Sequence, residues 1–298
     1  MGKVLITGSR GFIGSSLMKR LEMIPSLEAM GIDLADLDLA DLPAVQAFLE
    51  RCRPSRIVHL AASLERQDNA SSRAQQWRNT FDAGRNILEA TVDVGVPHLI
   101  MAGTMEELGN QSGILSPDLP ARPFTLYGLC KSLLREVSEY HSRREALRVD
   151  WFRPFTVYGP GQTGTMLIPY AFQMAREGHR AEFTDGKQIR DFLYIDDLLE
   201  WLLLAIQIDL KGGSTGSFVL HHLGSQVGTS VSGILRHIEA EFPGADFHLG
   251  VKPRPPHEPE VQVAPRYRSQ DLPIRDWVPT VPYREGIQKT AIWWKAAR

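Results

Sequence analysis

At 298 residues, with 43% hydrophobic and 23% charged side chains, the chain has an ordinary globular composition and the length for one large or two smaller cores. A formal net charge of -2 gives no ground for nucleic acid or an anionic membrane as partner, so basic groups are expected to act locally on particular anions. The two cysteines, Cys52 and Cys130, lie far apart in helix-like contexts, as expected for reduced thiols of a cytoplasmic protein; neither a disulfide framework nor a metal-ligand spacing is present.

Met1-Gly2-Lys3 leads directly into Val4-Leu5-Ile6, so no signal peptide is expected, and Gly2 precedes a structural strand rather than forming a myristoylation site. That buried strand opens onto Thr7-Gly8-Ser9-Arg10-Gly11-Phe12-Ile13-Gly14 and a helical pattern through Leu17, Leu21 and Ile24. Strand, glycine turn and helix form the arrangement in which backbone N–H groups receive a pyrophosphate. Gly8 makes the turn, Gly11 admits the phosphates and Gly14 lets helix pack on strand. A second strand, Met30-Gly31-Ile32, ends at Asp33, placed for a carboxylate to accept the ribose hydroxyls of NAD. Arg10 keeps NADP open, because a guanidinium in this loop can meet a 2′-phosphate.

After an acidic-apolar stretch from Asp36 to Leu42, Pro43 begins a helix through Val45, Phe48 and Leu49. Arg56 to Leu60 is the next strand, with His59 read as a packed core histidine. Small residues Ala61-Ala62-Ser63 follow, where a cofactor can lie against backbone. A long helix carries Trp77, Phe81, Ile87 and Leu88, and the strand Pro97 to Gly103 delivers Thr104 at its carboxyl end, where ligands of open parallel sheets bind.

Tyr127 and Lys131, four positions apart on a helix, share one face. An ammonium near the phenol favours the phenolate, and the Thr104 hydroxyl can bond the same substrate oxygen. Together they make a proton-transfer device for an alcohol/ketone pair, which requires a hydride carrier beside it. Such a pair also occurs on helices with no catalytic role, so the surrounding motifs carry the reading.

The strand Val149 to Phe152 leads to Arg153-Pro154-Phe155-Thr156-Val157-Tyr158-Gly159-Pro160-Gly161. Alternating strands and helices up to here predict an α/β fold with a doubly wound parallel sheet. Beyond Gly161 the pattern breaks into short elements with many prolines, predicting a smaller, irregular C-terminal substrate domain. Leu198 to Ile208 is too short to span a bilayer and is expected to be a buried helix, and Lys252 to Pro259 an ordered surface loop. The expected division is a dinucleotide-binding domain over 1–160 with a returning segment at about 190–222, and a substrate domain over 161–189 and 223–298.

With these pieces in order the chain resembles, over essentially its whole length, the extended short-chain dehydrogenase/reductase family that works on nucleotide-activated sugars. The resemblance rests on Gly8-x-x-Gly11-x-x-Gly14, Asp33, His59-Leu60-Ala61-Ala62, Thr104, Tyr127-x-x-x-Lys131, Arg153 to Gly161 and Arg190-Asp191-Phe192-Leu193-Tyr194-Ile195-Asp196-Asp197. Trp277-Val278-Pro279 and Glu285-Gly286-Ile287 echo the family's end. It implies that Tyr127 is the acid/base, that Lys131 holds the nicotinamide ribose, and that Thr104 steadies the reacting sugar oxygen. Gly8, Arg10, Gly11, Phe12, Ile13, Gly14, Asp33, Asp41, Leu42, Leu60, Ala61 and Ala62 would line the cofactor. Met105, Thr156, Arg190 and Arg254 would meet the nucleoside-diphosphate sugar, the two arginines at its phosphates. The resemblance also implies a homodimer, with helices at about Ser72–Val94 and Tyr127–Arg144 forming a four-helix bundle.

Departures bear on the reaction. Thr156 stands where an asparagine is usual, and His222-Leu223-Gly224 where Asn-Ile-Gly is usual. Met105 stands where 4,6-dehydratases carry an acid, while Glu106 fills the second position of that pair. The leading expectation is reduction of a 4-keto hexose at C4. A C4 epimerase with retained NAD is the alternative, followed by a dehydratase using Glu106 and a non-catalytic NAD(P)-binding sensor.

Overall fold

The structure is a computed structural model that describes residues 2–63, 67, 69–210, 216–266 and 277–296. Along the chain the elements are β1 (Gly2–Thr7), α1 (Phe12–Leu21), β2 (Leu27–Ile32), α2 (Leu42–Cys52), β3 (Arg56–His59), α3 (Ala70–Gln76), a π-helical turn (Trp77–Asp82), α4 (Ala83–Val94) and β4 (His98–Ala102). A 3-10 turn (Met105–Leu108), β5 (Gly113–Ile114), α5 (Leu126–Arg144), β6 (Arg148–Pro154), β7 (Thr156–Tyr158), α6 (Leu167–Glu177) and β8 (Arg180–Glu182) follow. The chain continues with β9 (Ile189–Tyr194), α7 (Ile195–Gln207), β10 (Phe218–Leu223), β11 (Gly228–Ser230), α8 (Val231–Glu241), β12 (Asp246–His248), β13 (Val261–Val263) and α9 (Tyr283–Ala296).

Six strands form one sheet in the order β10-β6-β4-β3-β1-β2, and the pairings of β1 with β2 and β3, of β3 with β4 and of β4 with β6 are parallel. The apolar runs are buried on both faces, as parallel strands covered by helices require. Leu5, Ile57, Leu99 and Val149 stand in register across four strands with no exposed surface, and Ile87, Leu88 and Leu134 join the same core. Each such side chain removed from water stabilises the sheet by about 1.5–3 kcal/mol. The order of strands reverses direction at β1 and β3, so the carboxyl ends of those two strands mark the crevice where ligands of such sheets bind.

At the amino end of β6 a buried charge is heavily hydrogen-bonded. The buried Asp150 carboxylate accepts from Nε2 of His98 at 2.7 Å, Nε2 of His221 at 2.8 Å and both Nε and Nη2 of Arg148. Burial opposes its ionisation, but these donors outweigh burial and hold it well below the usual carboxylate range.

Two compact units result: Met1–Gly109, Pro120–Arg153 and Trp201–His221 form the first, and Asn110–Leu119, Pro154–Glu200 and His222–Arg298 the second. The division falls differently from the expected boundaries because of strand pairing. β7 pairs with β9, β9 with β11 and β13, and β5 with β13, which draws 110–119, 154–160 and the stretch from 190 into the second unit. That unit is more regular than its prolines suggest, with a sheet ordered β11-β9-β13-β5, a parallel β8–β12 pair and helices α6, α8 and α9. Among the described residues, no helix is long and apolar enough to cross a membrane.

Candidate active site

The glycine loop is fixed by close backbone approaches. Gly8 has φ +69°, and a Cβ there would lie 2.8 Å from the Ala61 nitrogen; one on Gly14 would lie 2.1 Å from the Gly8 oxygen. Only glycine fits either contact. Thr7 locks the neighbouring strand end: its hydroxyl bonds Nδ1 of His59 at 2.8 Å and accepts from Ala61 N, bringing Leu60-Ala61-Ala62 against the loop. His59 is fully buried, and burial pushes its pKa down to about 3, so it is a neutral core residue. Gly11 begins α1 without a side-chain cap or an acid in the first turn, leaving the helix start to an anion.

At the end of β2 the carboxylates gather around Arg10. Asp33 Oδ2 accepts from Arg10 N at 3.1 Å, Asp36 Oδ2 accepts from Asp33 N at 2.9 Å, and Asp36 Oδ1 pairs with Arg10 Nη2 at 2.9 Å. The Asp33 backbone bond and then the guanidinium hold the Asp36 carboxyl below its usual range. The Arg10 guanidinium, which kept NADP open in the sequence, is thus paired with the Asp36 carboxylate, while Asp33 accepts from its backbone N–H. This arrangement suits ribose hydroxyls and repels a phosphate. Asp41 Oδ1 accepts from Ala44 N as the N-cap of α2, which begins at Leu42.

Thr104 and Lys131, two of the residues expected to carry proton transfer, are anchored at the end of β4. Thr104 caps the 3-10 turn: its hydroxyl accepts from Glu106 N at 3.2 Å and its N–H donates to Glu107 Oε1 at 2.9 Å. The hydroxyl keeps its own proton for donation. Thr125 caps α5, accepting from Gly128 N at 3.0 Å, and donates to Glu106 Oε2 at 2.6 Å. A Cβ on Gly128 would lie 2.5 Å from the Glu106 carbonyl oxygen, so this glycine lets the start of α5 press onto the turn. Tyr127 and Lys131 flank it. Lys131 is 1% exposed and donates from Nζ to the Ala102 carbonyl at 2.7 Å, with Nζ 5.9 Å from the centre of the Tyr127 ring. Burial pushes its pKa down to about 8, with the Glu107 carboxylate opposing that shift.

Glu107, passed over in the sequence, is the hidden support. It is fully buried and accepts from Trp151 Nε1 at 3.1 Å and from Arg153 Nε and Nη2 at 2.8 Å, besides Thr104 N. The signal was available, since Thr104-x-x-Glu107 is a capping-box spacing. Glu106 half-buries at the turn bonded to Thr125, and Met105 beside it offers no proton. Cys52 and Cys130 are free and buried, and burial pushes the Cys130 thiol up to about 11.

In the second unit Thr156 opens β7 opposite Phe192 of β9. Arg190 bonds Glu258, not its neighbour Asp191, whose buried carboxylate accepts from Ser225, Gln226 N and Ala264 N. Arg254 pairs with Glu258 and Glu260, and its Nη2 is buried without a hydrogen-bond partner. An unsatisfied guanidinium N–H in such a setting fits an anionic ligand.

A glycine-cradled strand–turn–helix loop lies in the same unit as Thr104, Tyr127 and Lys131. Residues 4–220 match the family described as NAD dependent epimerase/dehydratase. UDP-glucose 4-epimerase of Azospirillum brasilense is 24% identical over 98% of this chain and 92% of its own length. GDP-6-deoxy-D-talose 4-dehydrogenase of Aggregatibacter actinomycetemcomitans is 31% identical over 65% of this chain and 67% of its own. The solved structure of UDP-glucuronic acid 4-epimerase from Bacillus cereus, in complex with UDP-glucuronic acid and NAD, superposes with a TM-score of 0.84 at 25% identity, covering 99% of both chains. The chain belongs to the NAD dependent epimerase/dehydratase family.

Proposed function

We propose that this enzyme is a C4 epimerase of a nucleotide-linked hexose that keeps its NAD between turnovers. The anchoring of Thr104 and Lys131 at the same strand end, with Tyr127 one turn before Lys131, is the observation that carries the reading. When bound, NAD supplies the chemistry of taking a hydride from C4 and returning it. Tyr127 takes the C4 hydroxyl proton and gives it back, Thr104 donates to the same oxygen, and Lys131 holds ribose hydroxyls with donors left over from Ala102. Inversion follows when the C4 ketone is presented by its other face. In the second unit Arg190 and Arg254 meet the diphosphate and Thr156 the sugar nucleotide; Met105, a residue of the first unit, is the remaining substrate contact of this reading.

Two further observations favour epimerisation. Arg10 is paired with Asp36, which weakens its support for NADPH as an external reductant. The A. brasilense relative, aligned over nearly the whole chain, is a 4-epimerase. Reduction of a 4-keto hexose is the second reading, favoured by the likeness to a 4-dehydrogenase. Elimination is disfavoured by Met105 and by the bond from Thr125 to Glu106.

Purified enzyme mixed with UDP-glucose, UDP-glucuronate or a GDP-6-deoxyhexose, without added cofactor, is expected to change the C4 configuration of one of them at constant nicotinamide absorbance. Stoichiometric oxidation of added NADH or NADPH by a nucleotide 4-keto hexose, with no epimer formed, contradicts it.

A further inference from the structure

Four charged side chains in the second unit form a closed set. Glu258 Oε1 accepts from Arg190 Nη2 and from Gln188 Nε2, each at 3.1 Å, and Oε2 faces Arg254 Nε at 3.4 Å. Arg254 Nη1 donates to Glu260 Oε1 at 2.9 Å. Two guanidinium groups and two carboxylates thus cancel in charge. Their exposure is uneven, however: the Arg190 side chain is 12% exposed and Glu258 21%, whereas Glu260 is 69% exposed. The compensating anion inside the set is therefore Glu258.

Its chain segment is held and stiff. Glu258 N bonds Pro255 O in a turn bounded by Pro253, Pro255, Pro256 and Pro259, and Ile189 N bonds Glu260 O at 2.7 Å. One buried donor of the set has no partner, Arg254 Nη2. A carboxylate has two oxygens to share among these donors, whereas a diphosphate presents more acceptors and more charge. The set is satisfied by Glu258 only in part.

We propose that Glu258 is an internal counter-anion, seated between Arg190 and Arg254 where the substrate's diphosphate binds, and that it sets the enzyme's selectivity by phosphate charge. Binding exchanges the carboxylate for phosphate oxygens and releases it to solvent. A dianionic or trianionic diphosphate gains enough from both guanidinium groups to displace it, and a monophosphate gains less. The inference rests on the reading of Arg190 and Arg254 as the diphosphate site.

The test is calorimetric titration of the full-length enzyme with uridine, UMP and UDP, and with guanosine, GMP and GDP, comparing wild type with Glu258→Gln, Arg190→Gln and Arg254→Gln. The amide replacement keeps one acceptor oxygen for Arg190 and Gln188 and gives up the one facing Arg254 Nε, and thermal melting checks that each variant is folded. For the base that binds, Glu258→Gln is expected to tighten the diphosphate by about fivefold, the monophosphate by less, and the nucleoside not at all. Diphosphate affinity unchanged or weakened in Glu258→Gln overturns the proposal, as does an equal change for all three ligands. Failure of the underlying reading looks different: Arg190→Gln and Arg254→Gln would then leave diphosphate affinity intact, whatever Glu258→Gln does.

Discussion

Lys131 Nζ donates to the carbonyl of Ala102 at 2.7 Å, two residues before Thr104, so one strand end positions both the ammonium and the hydroxyl of the site. This bond holds a nearly fully buried cation whose pKa is pushed down to about 8 from 10.5. Between those values the unfolded chain binds more protons than the folded one, so stability rises with pH across that window. Below about pH 8 the full cost of the buried charge is present. The unfolding free energy of wild type minus that of Lys131→Met is expected to grow by up to about 3 kcal/mol from pH 8 to pH 10.5. Cys130, raised to about 11, contributes with the opposite sign above pH 9 and is coupled to Lys131, so both proteins are compared in a Cys130→Ala background. A flat difference would show that Lys131 is not held as described.

Tyr127→Phe removes the only proposed carrier of the C4 hydroxyl proton while keeping the ring. Turnover is expected to fall by about 10²–10⁴-fold with NAD affinity unchanged, measured by steady-state rates and fluorescence titration. Substantial retained activity would sink the proposed proton path.

Gly128→Ala separates helix propensity from tertiary fit. Propensity alone favours alanine by about 1 kcal/mol inside a helix. The contact of 2.5 Å to the Glu106 carbonyl oxygen predicts the reverse, a loss of about 1–3 kcal/mol in denaturant unfolding together with lower kcat. A stabilised variant would mean that α5 does not press on the turn.

The repeating strands, the strand–glycine turn–helix start and the positions of Thr104 after β4 and of Tyr127 and Lys131 on one helix were legible because each depends on local spacing or on where a strand ends. Long-range partners were not. Glu107 gains its role from Trp151 and Arg153, 44 and 46 residues away, and Arg10 from Asp36 across 26. Likewise Arg190 meets Glu258 across 68 residues rather than the adjacent Asp191. The division between units followed the pairing of β7 and β9, which no composition shift marks.

Asp36 pairs with the Arg10 guanidinium at the edge of the glycine loop. Asp33→Ser combined with Asp36→Ala is expected to weaken NADH binding by about tenfold and to narrow its preference over NADPH, followed by fluorescence titration. An unchanged preference would place cofactor selection elsewhere.

On α5 the partly exposed Leu129, Leu133 and Tyr140 fall on one face. Burial of this stripe in a two-fold helix pairing predicts a dimer by light scattering, and Leu133→Glu is expected to yield monomer. A monomeric wild type at micromolar concentration refutes the pairing.

The most direct test of the central claim uses a nucleotide hexose carrying deuterium at C4, incubated with enzyme and a large excess of unlabelled free NADH. Epimerisation by the proposed route predicts that the product keeps its deuterium at C4, inverted, with none in the free nicotinamide pool or in water. Deuterium passing into that pool as product forms would contradict a retained cofactor, and deuterium lost to water would contradict hydride exchange at C4 altogether.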